Sequence, residues 1–150
     1  MNLFKLLERD HTKILTLINK LGKTTRRAIK TRNALFSELN EELDQHAMLE
    51  EEIFYPELKT YSKVKPLVKQ ALQDHKEIRK ILKELKSLPR AGNEWKPKLK
   101  ELKKIMSKHM NYEEEKIFVH AFELLSEERK EDIFSRVEEE RKDIAEGTTG

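Results

Sequence analysis

Residues 46–54 read His-Ala-Met-Leu-Glu-Glu-Glu-Ile-Phe, and residues 109–118 read His-Met-Asn-Tyr-Glu-Glu-Glu-Lys-Ile-Phe. Each stretch sets a histidine four residues before a glutamate. On an α-helix that spacing is ~400° of rotation and ~6 Å of rise, so the two side chains lean the same way. His46 with Glu50, and His109 with Glu113, can each close on one cation. Two such helices face to face can hold two.

Two more histidines join them. Asp10-His11, with Ile14 and Ile18 following, matches Asp74-His75 with Ile78 and Leu82. That pair is offset by 64 residues and the His-x-x-x-Glu pair by 63. Four of the five histidines obey the repeat. A duplicated helical hairpin with two equivalent metal positions accounts for this. Imidazole and carboxylate without sulfur suit iron, manganese or zinc, and cysteine is absent. A carboxylate can span two cations, and the cations make a buried glutamate tolerable. Ferritin-type Glu-x-x-His occurs only at Glu8/His11, and no His-x-x-x-His zinc-hydrolase pair is present. Four histidines that merely fill a core would have no reason to repeat.

The elements that must position these residues follow from helical periodicity. Leu3, Leu7, His11, Ile14 or Leu15, and Ile18 mark a first helix from about Asn2 to Leu21, with Gly22 as its stop. Leu35, Leu39, Leu43, His46, Glu50 and Ile53 mark a second, with Pro56 ending or kinking it near Tyr55. Val68, Ala71, His75, Ile78, Leu82 and Leu85 mark a third. Leu88 to Asn93 is a turn. Leu99, Leu102, Met106, His109 and Glu113 mark a fourth, ending near Leu125. Ser126 caps a shorter fifth helix with Ile133, Phe134 and Val137 as its apolar face. The fold class is all-α: an up-down antiparallel four-helix bundle over residues 1–125, a short additional C-terminal helix over 126–144, and a disordered tail over 145–150.

With 31 basic and 28 acidic residues the formal net charge is +3. No single basic face is evident, so no nucleic-acid partner is expected. The acid-free run from Lys20 to Arg32 reads as solvated surface. No apolar run spans a membrane and the N-terminus shows no secretory pattern, so a cytoplasmic monomer is expected.

The pattern His11, His46-x-x-x-Glu50, His75, His109-x-x-x-Glu113 resembles the hemerythrin-like (HHE cation-binding) family, from about Leu3 to Leu125. The resemblance implies a non-haem di-iron centre of two iron ions, oxo- or hydroxo-bridged, with manganese or zinc as substitutes. It implies Glu50 and Glu113 as bridging carboxylates and His11, His46, His75 and His109 as terminal ligands. Oxygen-carrying hemerythrins have a further histidine one turn past the third-helix histidine; here that place is Arg79. Each iron is then left one open position, which favours binding or sensing of a small diatomic ligand, dioxygen or nitric oxide, over dedicated oxygen carriage. Arg79 and Tyr112 are candidates for a supporting role around the ligands, as hydrogen-bond donors to a bound anion, a carboxylate or a metal-bound species. Asp10 and Asp74 point ~100° away from the ligands beside them and are read as bonding to a neighbouring helix. One of Glu51, Glu52, Glu114 and Glu115 is a candidate to orient a ligand imidazole. His120, ~16 Å along the axis from His109, is read as packing. Iron delivery or repair of damaged iron–sulfur centres is one alternative function; a metal-stabilised interaction module is another. No substrate pocket can be read from these residues, which weighs against an enzyme.

Overall fold

The computed structural model describes residues 1–149, all of its regular elements helical. Helix α1 spans Leu3–Gly22 and starts at Asn2, whose side chain accepts the Lys5 N–H at 2.9 Å. Helix α2, Ile29–Leu49, passes without a break through a π-turn, Glu50–Phe54, into short α3, Tyr55–Leu58. Helix α4 is Lys65–Ser87, with Pro66 in its first turn, where the missing N–H costs nothing. Helix α5, Trp95–Tyr112, passes through a second π-turn, Glu113–Ile117, into α6, Phe118–Leu124. Ser126 then caps α7, Glu127–Thr149, accepting the Arg129 N–H at 3.1 Å. The first four of these rods form the antiparallel bundle expected from the repeat, with α1 against α2 and α5, and α4 against α5.

Two features depart from the sequence expectation. Pro56 neither ends the second rod nor is needed to distort it. The π-turns begin at Glu50 and at Glu113 alike, and the second has no proline. In each the amide five residues on, Tyr55 and Phe118, donates to the glutamate's own carbonyl. Helix α7 is the other. It runs 23 residues, as long as α4, and continues to Thr149 through the stretch expected to fray; Gly150 lies outside the described residues. Its second half carries no apolar stripe, so periodicity gave no reason to extend it.

The interior has two apolar clusters with a polar layer between them. One, built from residues such as Leu7, Phe54, Leu58, Val68, Phe118 and Val137, fills the end where α3 and α6 finish. The other, with Ile14, Leu39, Leu43, Ile78, Leu102 and Met106, fills the hairpin end. Each fully buried aliphatic side chain contributes about 1.5–3 kcal/mol. His11 sits between Leu7 and Ile14 on α1, at the boundary. At the hairpin end Arg32 corrects the reading of Lys20–Arg32 as surface. Its side chain is fully buried, lies 4.5 Å from the Trp95 ring centroid and donates to Thr24 and to the Arg90 carbonyl. It ties the two hairpin loops together, while Lys20, Lys23, Arg26, Arg27 and Lys30 remain exposed.

Candidate metal centre

Each repeated motif places its ligands through helix geometry. His46 and Glu50 stack one turn apart at the end of α2, and His109 and Glu113 do the same at the end of α5. His11 and His75 come in from the middles of α1 and α4. All six side chains are buried, and Glu50 and Glu113 have no exposed surface. The donor atoms of His11, His46, Glu50 and Glu113 lie within 4.8 Å of one another, and so do those of Glu50, His75 and His109. Glu50 belongs to both groups: its Oε1 is 3.3 Å from Nε2 of His46 and 3.3 Å from Nε2 of His75. Glu113 Oε1 is 3.0 Å from His11 Nε2. The imidazoles pair edge to face, His11 with His46 at 4.9 Å and His75 with His109 at 4.8 Å between centroids.

Every imidazole is held from behind by a carboxylate. Nδ1 of His46 meets Asp10 at 3.0 Å, and Nδ1 of His109 meets Asp74 at 3.0 Å. Nδ1 of His11 meets Glu114 at 3.1 Å, and Nδ1 of His75 meets Glu51 at 2.6 Å. A carboxylate that accepts from Nδ1–H fixes the tautomer whose Nε2 lone pair faces the centre. Asp10 and Asp74 thus bond to a neighbouring helix, as their direction suggested, and two of the four flanking glutamates orient ligands rather than one. Arg79 clamps Glu51 through both guanidinium nitrogens, at 3.0 and 3.2 Å, and so supports His75 at one remove.

Electrostatics show what the layer lacks. Glu50 Oε1 and Oε2, Glu113 Oε1, and Nε2 of His11, His46 and His109 are buried with no hydrogen-bond partner. Without cations this is costly, since buried polar groups are normally paired. Burial and the charge of Glu50 push the Glu113 carboxyl up. Burial also opposes ionisation of Glu50, yet His46, Glu113 and His75 hold it well below the carboxylate range. Burial lowers His75, but the Glu50 carboxylate 3.3 Å from its Nε2 and the hydrogen bond to Glu51 outweigh it and raise the imidazole to about 9. His46 is likewise raised, against burial, by Glu50 and Asp10. A pair of cations would satisfy the orphaned atoms and displace these protons. The donor set therefore fits two divalent metals with nitrogen and oxygen preference.

Tyr55 is the site residue that sequence reasoning missed. Its hydroxyl donates to Glu113 Oε2, and its ring stacks on His75 at 5.7 Å. Burial and the nearby Glu113 and Glu50 charges hold its own ionisation well above the usual range. Phe118 lies 63 residues on and stacks on His11 in the equivalent way, at 6.0 Å. The signal was that offset, hidden by Pro56, which suggested the helix had already ended. Tyr112, the tyrosine singled out in sequence, packs against the neighbouring apolar cluster and lines an outer cleft with Asp74 and His109. His120 is outside the site, its Nδ1 donating to the Lys116 carbonyl at 2.7 Å.

Known proteins are similar to this chain in sequence and fold. A crystal structure of a hemerythrin HHE cation binding domain-containing protein from Mycobacterium kansasii is 25% identical, with a TM-score of 0.79, and covers 95% of this chain and 89% of that one. A curated protein from Nostoc sp. strain PCC 7120, named a DNA nickase, is 24% identical over 131 residues. That match takes in 87% of this chain, which spans only 36% of the relative's length. The model of the hemerythrin HHE cation binding domain matches residues 2–121, the whole of the bundle up to α6, and the chain belongs to that family.

Proposed function

We propose that the chain holds a non-haem pair of iron ions between His11, His46, His75, His109, Glu50 and Glu113 and binds or senses a small diatomic ligand, dioxygen or nitric oxide, there. The observation that carries this is the set of orphaned donor atoms converging in a buried layer. Iron would supply redox-active, exchangeable coordination positions. The chain supplies the rest: carboxylates that aim four Nε2 atoms inward, two glutamates that offset the cation charge, and apolar clusters that exclude water on both sides.

The adjoining space favours a small ligand. A cavity beside the four histidines is walled by Leu43, Ala47, Ile78, Leu82 and Met106, with Asp44 and Arg79 at its rim. The cavity has about 20 Å³ of space, room for one or two water-sized molecules. This supports ligand binding over an enzyme that acts on a larger compound. The name of the Nostoc relative adds little to that reading. The acid-free run of exposed basic residues from Lys20 to Lys30 sits by Gly22, ~16 Å along α1 from His11, and does not border the centre.

Anaerobic addition of ferrous iron tests the reading. Two equivalents per chain are expected, with a new visible absorption on adding nitric oxide. Glu50→Ala and His75→Ala should lose both. Uptake well below two equivalents, or unaltered spectra with nitric oxide and with air, would overturn it. Supercoiled plasmid left intact by the iron-loaded chain would further separate it from a nicking activity.

A further inference from the structure

Helix α7 is not part of the duplicated bundle, yet it reaches the metal layer. Arg141 donates through both terminal nitrogens to Asp10, with Nη1 to Oδ1 at 2.8 Å. Asp10 is the carboxylate that holds His46. A hydrogen-bonded chain therefore runs from the C-terminal helix to one of the two donor groups: Arg141, Asp10, His46. Asp10 is 5% exposed and the Arg141 side chain 26%, so the pair is partly shielded from solvent.

The repeat supplies an internal control. Asp74 holds His109 as Asp10 holds His46, but no helix covers it. Its other oxygen takes the Gln70 amide at 2.9 Å, its side chain is 18% exposed, and it faces an open cleft with Pro66, Ile105 and Tyr112. The half of the centre built on His11 and His46 is thus tied to α7, and the half built on His75 and His109 is not.

The hold of α7 itself is uneven. Its first half buries Ile133 and Val137 and pairs Arg129 and Arg136 with Glu57. Among residues 138–147 none is buried. There Arg141 and half-buried Ile144 meet the bundle. With no buried side chain in this segment, the bidentate pair of Arg141 with Asp10 is its tie to the metal layer, and the segment can respond when that pair is weakened.

We propose that Arg141 is a positioning residue that couples docking of the second half of α7 to the cation held by His11 and His46, and to that cation alone. This rests on the two-cation reading above. A bidentate guanidinium fixes the Asp10 carboxylate, a fixed carboxylate fixes the His46 ring, and a fixed ring loses less freedom on binding. The coupling is reciprocal: whatever docks α7 tightens that cation, and that cation tightens α7.

Full-length chain loaded with zinc, challenged by a chromogenic chelator, is the test. His109→Ala identifies which of the two released equivalents belongs to which half. Arg141→Gln should speed release of the His11–His46 equivalent about tenfold, in line with other losses behind a metal-bound imidazole. The His75–His109 equivalent should be unchanged, and Arg141→Lys should restore part of the loss. Hydrogen exchange gives the reverse arm: zinc should slow exchange over residues 138–147, and Asp10→Asn should abolish that slowing. Equal acceleration of both equivalents, no acceleration of either, or exchange over 138–147 indifferent to zinc would overturn the coupling. Fewer than two zinc ions in the wild-type chain would instead strike the two-cation reading on which it stands.

Discussion

Tyr55 puts a hydroxyl where its repeat partner Phe118 puts only a ring edge, so the two halves of the centre are chemically unequal. The hydroxyl satisfies one oxygen of Glu113, a buried carboxylate whose other oxygen faces His11 Nε2 at 3.0 Å. Tyr55→Phe should destabilise the metal-free chain by about 1–3 kcal/mol, the cost of leaving a buried acceptor unpaired. Chemical denaturation in chelator, compared with the zinc-loaded protein, checks this; the loss should shrink when a cation takes over the oxygen. Protonation provides a second prediction. With His75 raised to about 9 and His46 raised as well, the metal-free centre carries protons that cations must expel. Cation uptake at pH 7 should release protons, and apparent affinity should climb with pH up to about 9. Calorimetry in two buffers of different ionisation enthalpy measures the release. The sign for folding is opposite: a histidine raised on folding stabilises the metal-free chain fully below about pH 6.5, and that contribution fades as pH rises through about 9.

The π-turns are the element on which ligand geometry depends. Each adds one residue to its helix at the ligand glutamate, so side chains beyond it are turned by ~100° from where an α-helix would put them. That turn brings Tyr55 and Phe118 over His75 and His11. π-turns are costly and concentrate at functional sites, and here both share one backbone signature. Cations that anchor Glu50 and Glu113 should hold these turns shut. Amide exchange at Tyr55 and Phe118, the donors to the Glu50 and Glu113 carbonyls, should slow on zinc binding more than exchange at Leu17 or Leu82. Residue-resolved exchange by nuclear magnetic resonance checks this. The sequence made the helices and the six inward-facing donor side chains legible, because each lies on an apolar stripe and each repeats at 63 or 64. It could not reveal the π-turns, since nothing local in Glu-Glu-Glu distinguishes five-residue bonding from four. Tyr55 was lost with them. Arg32 was misread because a buried cation paired only with carbonyls, a hydroxyl and an indole ring has the same sequence look as a solvated one. The second half of α7 escaped because it buries no apolar stripe.

At the scale of the whole molecule the polar layer divides the hydrophobic interior, so stability without metal rests on two smaller cores and an unpaired site between them. Binding that favours only the folded state adds about 2.7 kcal/mol at a hundredfold excess over Kd. For a chain of this size that is a rise in Tm of roughly 5–10 °C. Differential scanning calorimetry with zinc and with chelator reads it; Glu50→Ala should abolish the rise. Among the described residues no helix is long and apolar enough to cross a membrane.

The supports of His11 and His75 cross the pseudo-symmetry axis. His11 of the first hairpin leans on Glu114 of the second, and His75 of the second leans on Glu51 of the first. Neither hairpin can therefore orient its own leading imidazole. A protein of half this length, carrying one Asp-His and one His-x-x-x-Glu, would complete its centre only by embracing a copy of itself. Fusing two such copies end to end would make permanent a partnership that a lone hairpin must find by diffusion.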